Sequence, residues 1–276
     1  MSAPLPSTPA SGSSRPPAPR QPGSPLAGFL IDLGLSSALL FALSFVAWIV
    51  WGVVQSVQVS PPTAPGGLQQ AVPALGQPGA LAQILMALAG TGGAALIVYF
   101  WRRRASAEEQ RRSVQAVRQP GTWGWTVLVG VLVIVGSNGI AFLARQAGIE
   151  PVPTNLALMS RAWEQFPLFL TLFAVLLAPA YEELLFRRIL FGRLWQAGRP
   201  LLGAVLSSLA FALIHELPGT SGNGPMAIAQ LWLIYGGMGA AFCWLYQRTG
   251  TLWAPIAAHG LNNAVALAAL ALSGTV

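Results

Sequence analysis

The chain of 276 residues is 54% hydrophobic and only 8% charged, with a mean hydropathy of +0.60. An ordinary soluble domain carries about 25% charged residues, so this scarcity excludes a soluble enzyme and a disordered chain. The net charge of +7 comes from fifteen arginines and no lysine, spread thinly between apolar runs rather than gathered on one surface, which excludes a nucleic-acid partner.

In chain order, residues 1–26 hold eight prolines and six serines without an apolar core. They read as a solvated, disordered cytoplasmic arm and not as a signal peptide. Seven apolar stretches follow, near 27–54, 80–101, 123–144, 165–190, 201–217, 226–247 and 251–271. Each is long enough to cross the roughly 30 Å hydrocarbon core as a helix. The expected fold class is all-α, a polytopic helical membrane protein with about seven transmembrane helices (six to eight). Its expected parts are the arm, N-terminal helices and loops over 27–160, and a C-terminal core over 161–276.

Arginine sets the expected orientation. With the N-terminus in the cytoplasm, thirteen of the fifteen arginines fall on that side, leaving only Arg145 and Arg161 outside. The expected location is a bacterial inner membrane, with the bilayer itself as one partner; the oligomeric state is left open. Trp48, Trp51, Trp101, Trp123 and Trp125 lie near span ends, where amphipathic rings sit at headgroups. Gly236, Gly237 and Gly239 are expected to permit close helix packing. Cys243 is the only cysteine, so there is neither a disulfide framework nor a thiolate metal cluster.

A charge at the centre of a bilayer costs about 3 kcal/mol or more, which makes each one a functional candidate. Of eight acidic residues, Glu182 and Glu183 fall within the fourth stretch, and both histidines of the chain, His215 and His259, fall within stretches five and seven. Glu183 and Arg187 are four residues apart and can pair on one helix face; Glu182, turned about 100° away, faces elsewhere. Phe211 shares a face with His215, and Asn263 with His259. Arg188, Arg193 and Arg199 read as anchors at the inner surface, and Glu216 as an interfacial residue of little weight. A glutamate, two histidines and an asparagine on three helices are thereby offered to one water-filled pocket.

Other intramembrane protease chemistries lack their residues. An aspartyl dyad needs two aspartates, and the chain has only Asp32. A zincin needs H-E-x-x-H, yet Gly219 stands where the second histidine belongs. The G-x-S-G of a rhomboid-type serine protease is absent.

The run Glu182-Glu183-x-x-x-Arg187, then Phe211-x-x-x-His215, then His259-x-x-x-Asn263, in that order on successive helices, resembles the CPBP family. That family contains the type II CAAX prenyl endopeptidases and bacteriocin-processing or immunity proteins of Abi type. The resemblance spans about 182–263 and makes 161–276 the CPBP-like catalytic core. It implies an intramembrane endopeptidase, reached from the cytoplasmic side, that cleaves a membrane-associated or lipidated peptide or protein. Carried over, Glu182 activates water, His215 helps hold it, and His259 and Asn263 stabilise the oxyanion, with Glu183, Arg187 and Phe211 in support. No cofactor is required on this reading. The alternative is zinc on Glu182, His215 and His259, since two histidines and a carboxylate form a catalytic zinc set. The competing functions are a non-catalytic scaffold or immunity factor, and a proton-coupled transporter.

One geometric conflict follows from these boundaries. At 1.5 Å per residue, straight spans put His215 well above Glu182. Either the fourth span tilts, or the segment Leu184–Arg199 is sunk into the protein and the fifth span starts deeper than Pro200 suggests. The mechanism requires the Glu182 carboxylate and the His215 imidazole within about 8 Å.

Overall fold

The computed structural model describes residues 23–59 and 76–273, which leaves most of the expected N-terminal arm outside the described residues. Nine helices, and no strand, appear among the described residues. They are α1 (Pro25–Val59), α2 (Ala80–Arg103), α3 (Ala107–Val117), α4 (Pro120–Gln146), α5 (Leu156–Gln165), α6 (Pro167–Gln196), α7 (Pro200–His215), α8 (Pro225–Thr249) and α9 (Trp253–Ser273). Six of them are long and apolar enough to cross a membrane. The seventh apolar helix, α7, has 16 residues, about 24 Å. Helices α3 and α5 lie in what the hydropathy pattern reads as loops.

Proline starts many of these helices. Pro120, Pro167, Pro200 and Pro225 each occupy the first turn, where the missing N–H would have had no intrahelical partner. Pro179 instead lies inside α6, where it removes a helical hydrogen bond. The helix accommodates it with wide turns at Phe173–Leu177 before it and Leu184–Phe191 after it, as membrane helices can where neighbours cover the backbone. At its far end α8 stops on Gly250, whose φ of 70° is left-handed and whose amide bonds to the Tyr246 carbonyl at 2.8 Å.

The bundle presents apolar side chains outward. Phe41, Val57, Leu201 and Leu272 are all more than 70% exposed, whereas Asp32, Glu183, Arg187 and Glu216 are fully buried. Such a surface suits lipid and not water, and the protein is an integral membrane protein. Helix α7 packs against α8, both α8 and α9 pack on α4, and α1 lies along α2. The α7–α8 approach depends on Gly239 alone among the three glycines of α8. A Cβ there would meet Ser208 atoms at 2.8–2.9 Å, while Gly236 and Gly237 face open space. Gly239→Ala is therefore expected to lower stability by about 1–3 kcal/mol, the usual overpacking cost. Gly236→Ala and Gly237→Ala are expected to leave the melting temperature in detergent nearly unchanged.

The arginine-rich end is held by ion pairs rather than by headgroups. Arg188 is buried and binds Glu109 through both terminal nitrogens, at 2.9 and 2.8 Å. Arg193 and Arg102 both reach the buried Asp32, at 2.7 and 2.6 Å. Only Arg199, of the three expected anchors, is exposed; the other two are recruited because α1 and α3 bring acids against α6. Glu109 also closes the capping box of α3 with Ser106. The Arg188 hydrogen bonds, foremost, pull the Glu109 carboxyl from its ordinary 4.5 down to about 2. A lowered carboxyl stabilises the fold above its unfolded value and loses that contribution as pH falls through the folded one. The melting-temperature gap between wild type and Glu109→Gln is thus expected to stay level above about pH 5 and to shrink between pH 4.5 and 2.

Candidate active site

Helices α6 and α7 form an antiparallel hairpin turned at 197–199, and its two arms bring Glu182 and His215 level. Glu182 lies 14 residues before Gln196, and His215 lies 15 residues after Pro200. At 1.5 Å per residue these are about 21 and 22 Å from the turn. The conflict expected from the sequence disappears because α6 runs six residues beyond position 190, to Gln196. Leu185 through Gly192, with Leu194, are buried, so this stretch is sunk into the protein as the second resolution has it, while α7 starts at Pro200 itself.

The side chains converge. Glu182 Oε2 stands 3.9 Å from His215 Nε2 and 3.8 Å from His259 Nε2, well inside the 8 Å limit. The other nitrogen of each ring is committed. His215 Nδ1 donates to the Phe211 carbonyl at 2.8 Å, one helical turn back, and His259 Nδ1 donates to Glu183 Oε1 at 2.9 Å. A carbonyl and a carboxylate only accept, so both rings carry their hydrogen on Nδ1 and turn Nε2 toward Glu182. The rings are also clamped. His215 lies between Phe211 and Tyr235, with centroids at 4.3 and 4.7 Å, and His259 stacks on Phe242 at 5.2 Å.

Glu183 does more than pair with Arg187. One oxygen meets Arg187 Nε at 2.9 Å while the other orients His259. Arg187, fully buried, is enclosed by Phe211, Phe242 and Phe186 at 4.6, 5.4 and 5.9 Å from their ring centroids, contacts favourable to a cation. Its Nη2 lies 3.5 Å from the Gly239 carbonyl. Asn263 spends one amide hydrogen on the Ala174 carbonyl at 2.9 Å, leaving a second donor. Each expected site residue thus lies in one cluster.

Glu182, His215, His259, Asn262 and Asn263 line a cavity of about 520 Å³ whose remaining walls include Ile84, Phe173, Leu267 and Leu270. Two lining residues escaped the sequence reading. Tyr235 and Tyr181, neither of which the sequence singles out, both belong to the cavity. Glu216 is also corrected: it is buried, bonded to Ser221 Oγ and, at 3.1 Å, to Asn223 Nδ2, while its carbonyl accepts from Trp232 at 2.8 Å. Its place directly after His215 was the available signal.

The donor types match a catalytic zinc. However, Glu182 stands 3.8–3.9 Å from both Nε2 atoms, and no group of three His, Cys, Asp or Glu is drawn together as a metal set among the described residues. These separations are about half an ångström wider than a tetrahedral zinc would set; were zinc bound, Glu182, His215 and His259 would hold it and it would activate a water, and no step below is routed through it.

The family described as type II CAAX prenyl endopeptidase Rce1-like matches residues 164–265, the stretch that carries every residue of the cluster. Among curated proteins, the chain is 28% identical over 141 residues to "Putative membrane peptidase YdiL" of Bacillus subtilis, covering 50% of this chain and 52% of that protein. It is 29% identical over 146 residues to "Membrane-embedded CAAX protease MroQ" of Staphylococcus aureus, covering 50% and 54%. The alignments thus span about half the length of these relatives. No solved structure gives a significant match. With its three motifs converging in one membrane cavity, the segment 164–265 is similar to the Rce1-like type II CAAX prenyl endopeptidases and to these two membrane peptidases.

Proposed function

We propose that the chain is an intramembrane endopeptidase in which Glu182 is the general base. The observation that carries this reading is the gap between Glu182 Oε2 and two inward-facing Nε2 atoms at 3.8–3.9 Å. Each distance is too long for a direct hydrogen bond and suits a water shared among the three groups.

On this reading, His215 Nε2 accepts one hydrogen of the water and Glu182 takes the other as the oxygen attacks the peptide carbonyl carbon. The developing oxyanion is met by the free Asn263 N–H and by His259 when its Nε2 is also protonated, a charge that Glu183 at Nδ1 balances. Glu182 then passes its proton to the leaving nitrogen and the C–N bond breaks; the new carboxylic acid gives its remaining proton to the amine, so that a carboxylate and an ammonium depart and Glu182 is again ionised. The substrate is a membrane-associated or lipidated peptide or protein. Peptide cleavage read by mass spectrometry, with purified wild type and Glu182→Gln, each with and without chelator, tests the reading. Cleavage by the wild type that chelator leaves intact is expected; no cleavage by the wild type would leave a scaffold, and loss with chelator would place a metal in the gap.

A further inference from the structure

The cavity and the arginines lie at opposite ends of the bundle. From Glu182, the lining runs through Phe173, Leu267 and Leu270 to Pro153–Met159, and of these Thr154, Asn155 and Leu156 are exposed, so the mouth is there. That end holds only Arg145 and Arg161, beside Glu150 and Glu164. At the other end stand ten arginines, six over 102–118 together with Arg188, Arg193, Arg199 and Arg248. Several are paired with acids, but the retention of arginine on the cytoplasmic side follows the count of positive residues and not the net charge. Access from the cytoplasm, implied by the family resemblance, and a cytoplasmic arginine end cannot both hold in this fold.

The mouth is a built opening. Asn223 accepts from the Val152 amide at 2.9 Å and donates to its carbonyl at 2.8 Å, and Thr154 Oγ1 donates to the His215 carbonyl at 2.9 Å. These bonds tie the loop that frames the entrance to the end of α7 and the segment after it. Between mouth and base, the lining contains no Lys or Arg, and Glu182 is its one acid. No cation stands ready for a terminal carboxylate, and a basic side chain would find only the catalytic carboxylate.

We infer that the substrate is an uncharged, apolar peptide segment, cut internally, that enters from the non-cytoplasmic face of the membrane. The inference rests on the endopeptidase reading for its chemistry, but its sidedness is measurable without activity. Variants with one added cysteine, Asn155→Cys and Arg111→Cys, exposed to a membrane-impermeant maleimide, are expected to react at Asn155→Cys in spheroplasts and at Arg111→Cys only in inside-out vesicles. The native Cys243 is buried and serves as the unlabelled control. The reverse pattern would overturn the assignment, whether or not the protein cleaves anything.

In proteoliposomes sorted by that labelling, an uncharged apolar reporter peptide is expected to be cut when added on the Asn155 side. A bulky maleimide on Asn155→Cys is expected to slow cleavage at least tenfold relative to the same variant unlabelled, and one on Arg111→Cys is expected to have no effect. Equal cutting of a peptide bearing Lys or Arg within the segment would overturn the substrate class. Absence of cleavage by the wild type in detergent would instead sink the endopeptidase reading, with the labelling still deciding the side.

Discussion

Glu182→Gln is expected to lower peptide cleavage by about 10²–10⁴-fold, the usual contribution of a general base, with little change in the detergent melting temperature. The amide keeps the size and most hydrogen-bonding capacity of the carboxylate but cannot take a proton from water. The side chain is 16% exposed, and among the described residues its nearest ionic partners are the two imidazoles at 3.8–3.9 Å, beyond direct hydrogen-bond reach. Little of the fold therefore rests on its charge, and a merely structural glutamate would show the opposite pattern, with activity and melting temperature falling together. Equal cleavage rates for the two proteins would remove Glu182 from the chemistry.

Arg187→Met is expected to cost about 3–5 kcal/mol, the penalty for leaving one partner of a buried ion pair uncompensated. Both members are fully buried, and the three phenylalanines around Arg187 offer Glu183 no replacement donor. Methionine fills much of the same space, so lost volume is a minor part of the effect. The double variant Glu183→Gln/Arg187→Met removes both charges and is expected to regain part of the melting temperature. It is not expected to regain activity, because a neutral amide in place of the Glu183 carboxylate holds no charge opposite His259. A single Arg187→Met protein as stable as wild type would show that the pair is hydrated or dispensable.

The cluster was legible because polar residues are so rare in these spans. Glu182, Glu183, His215 and His259 stand out against a chain with eight acids and two histidines in all, and the structure joins them. The register between α6 and α7 was not legible, since hydropathy ends the fourth span where arginines begin. Those arginines are buried by acids 70 or more positions away, Asp32 and Glu109, partners that no local window contains. The same limit hid the burial of Glu216, whose bonds lie in the loop after it, and the difference between Gly239 and its two neighbours, which depends on which face meets Ser208. Tyr235 carries no local signal at all, because an aromatic residue in an apolar span looks the same facing a cavity or facing lipid.

The equal arms of the α6–α7 hairpin make chain length itself a part of the catalytic apparatus. One residue added between Glu182 and Gln196 would lift the carboxylate by about 1.5 Å and swing it by about 100°, out of the gap it shares with the two rings. The segment 217–224, beyond His215, does not set the depth of either arm, but its Ser221 and Asn223 hold Glu216 and Val152 at the mouth. Insertions and deletions between Glu182 and His215 are thus forbidden, and the fixed interval from Glu182 to His215 acts as a ruler by which a related chain can be judged able to build the same pocket.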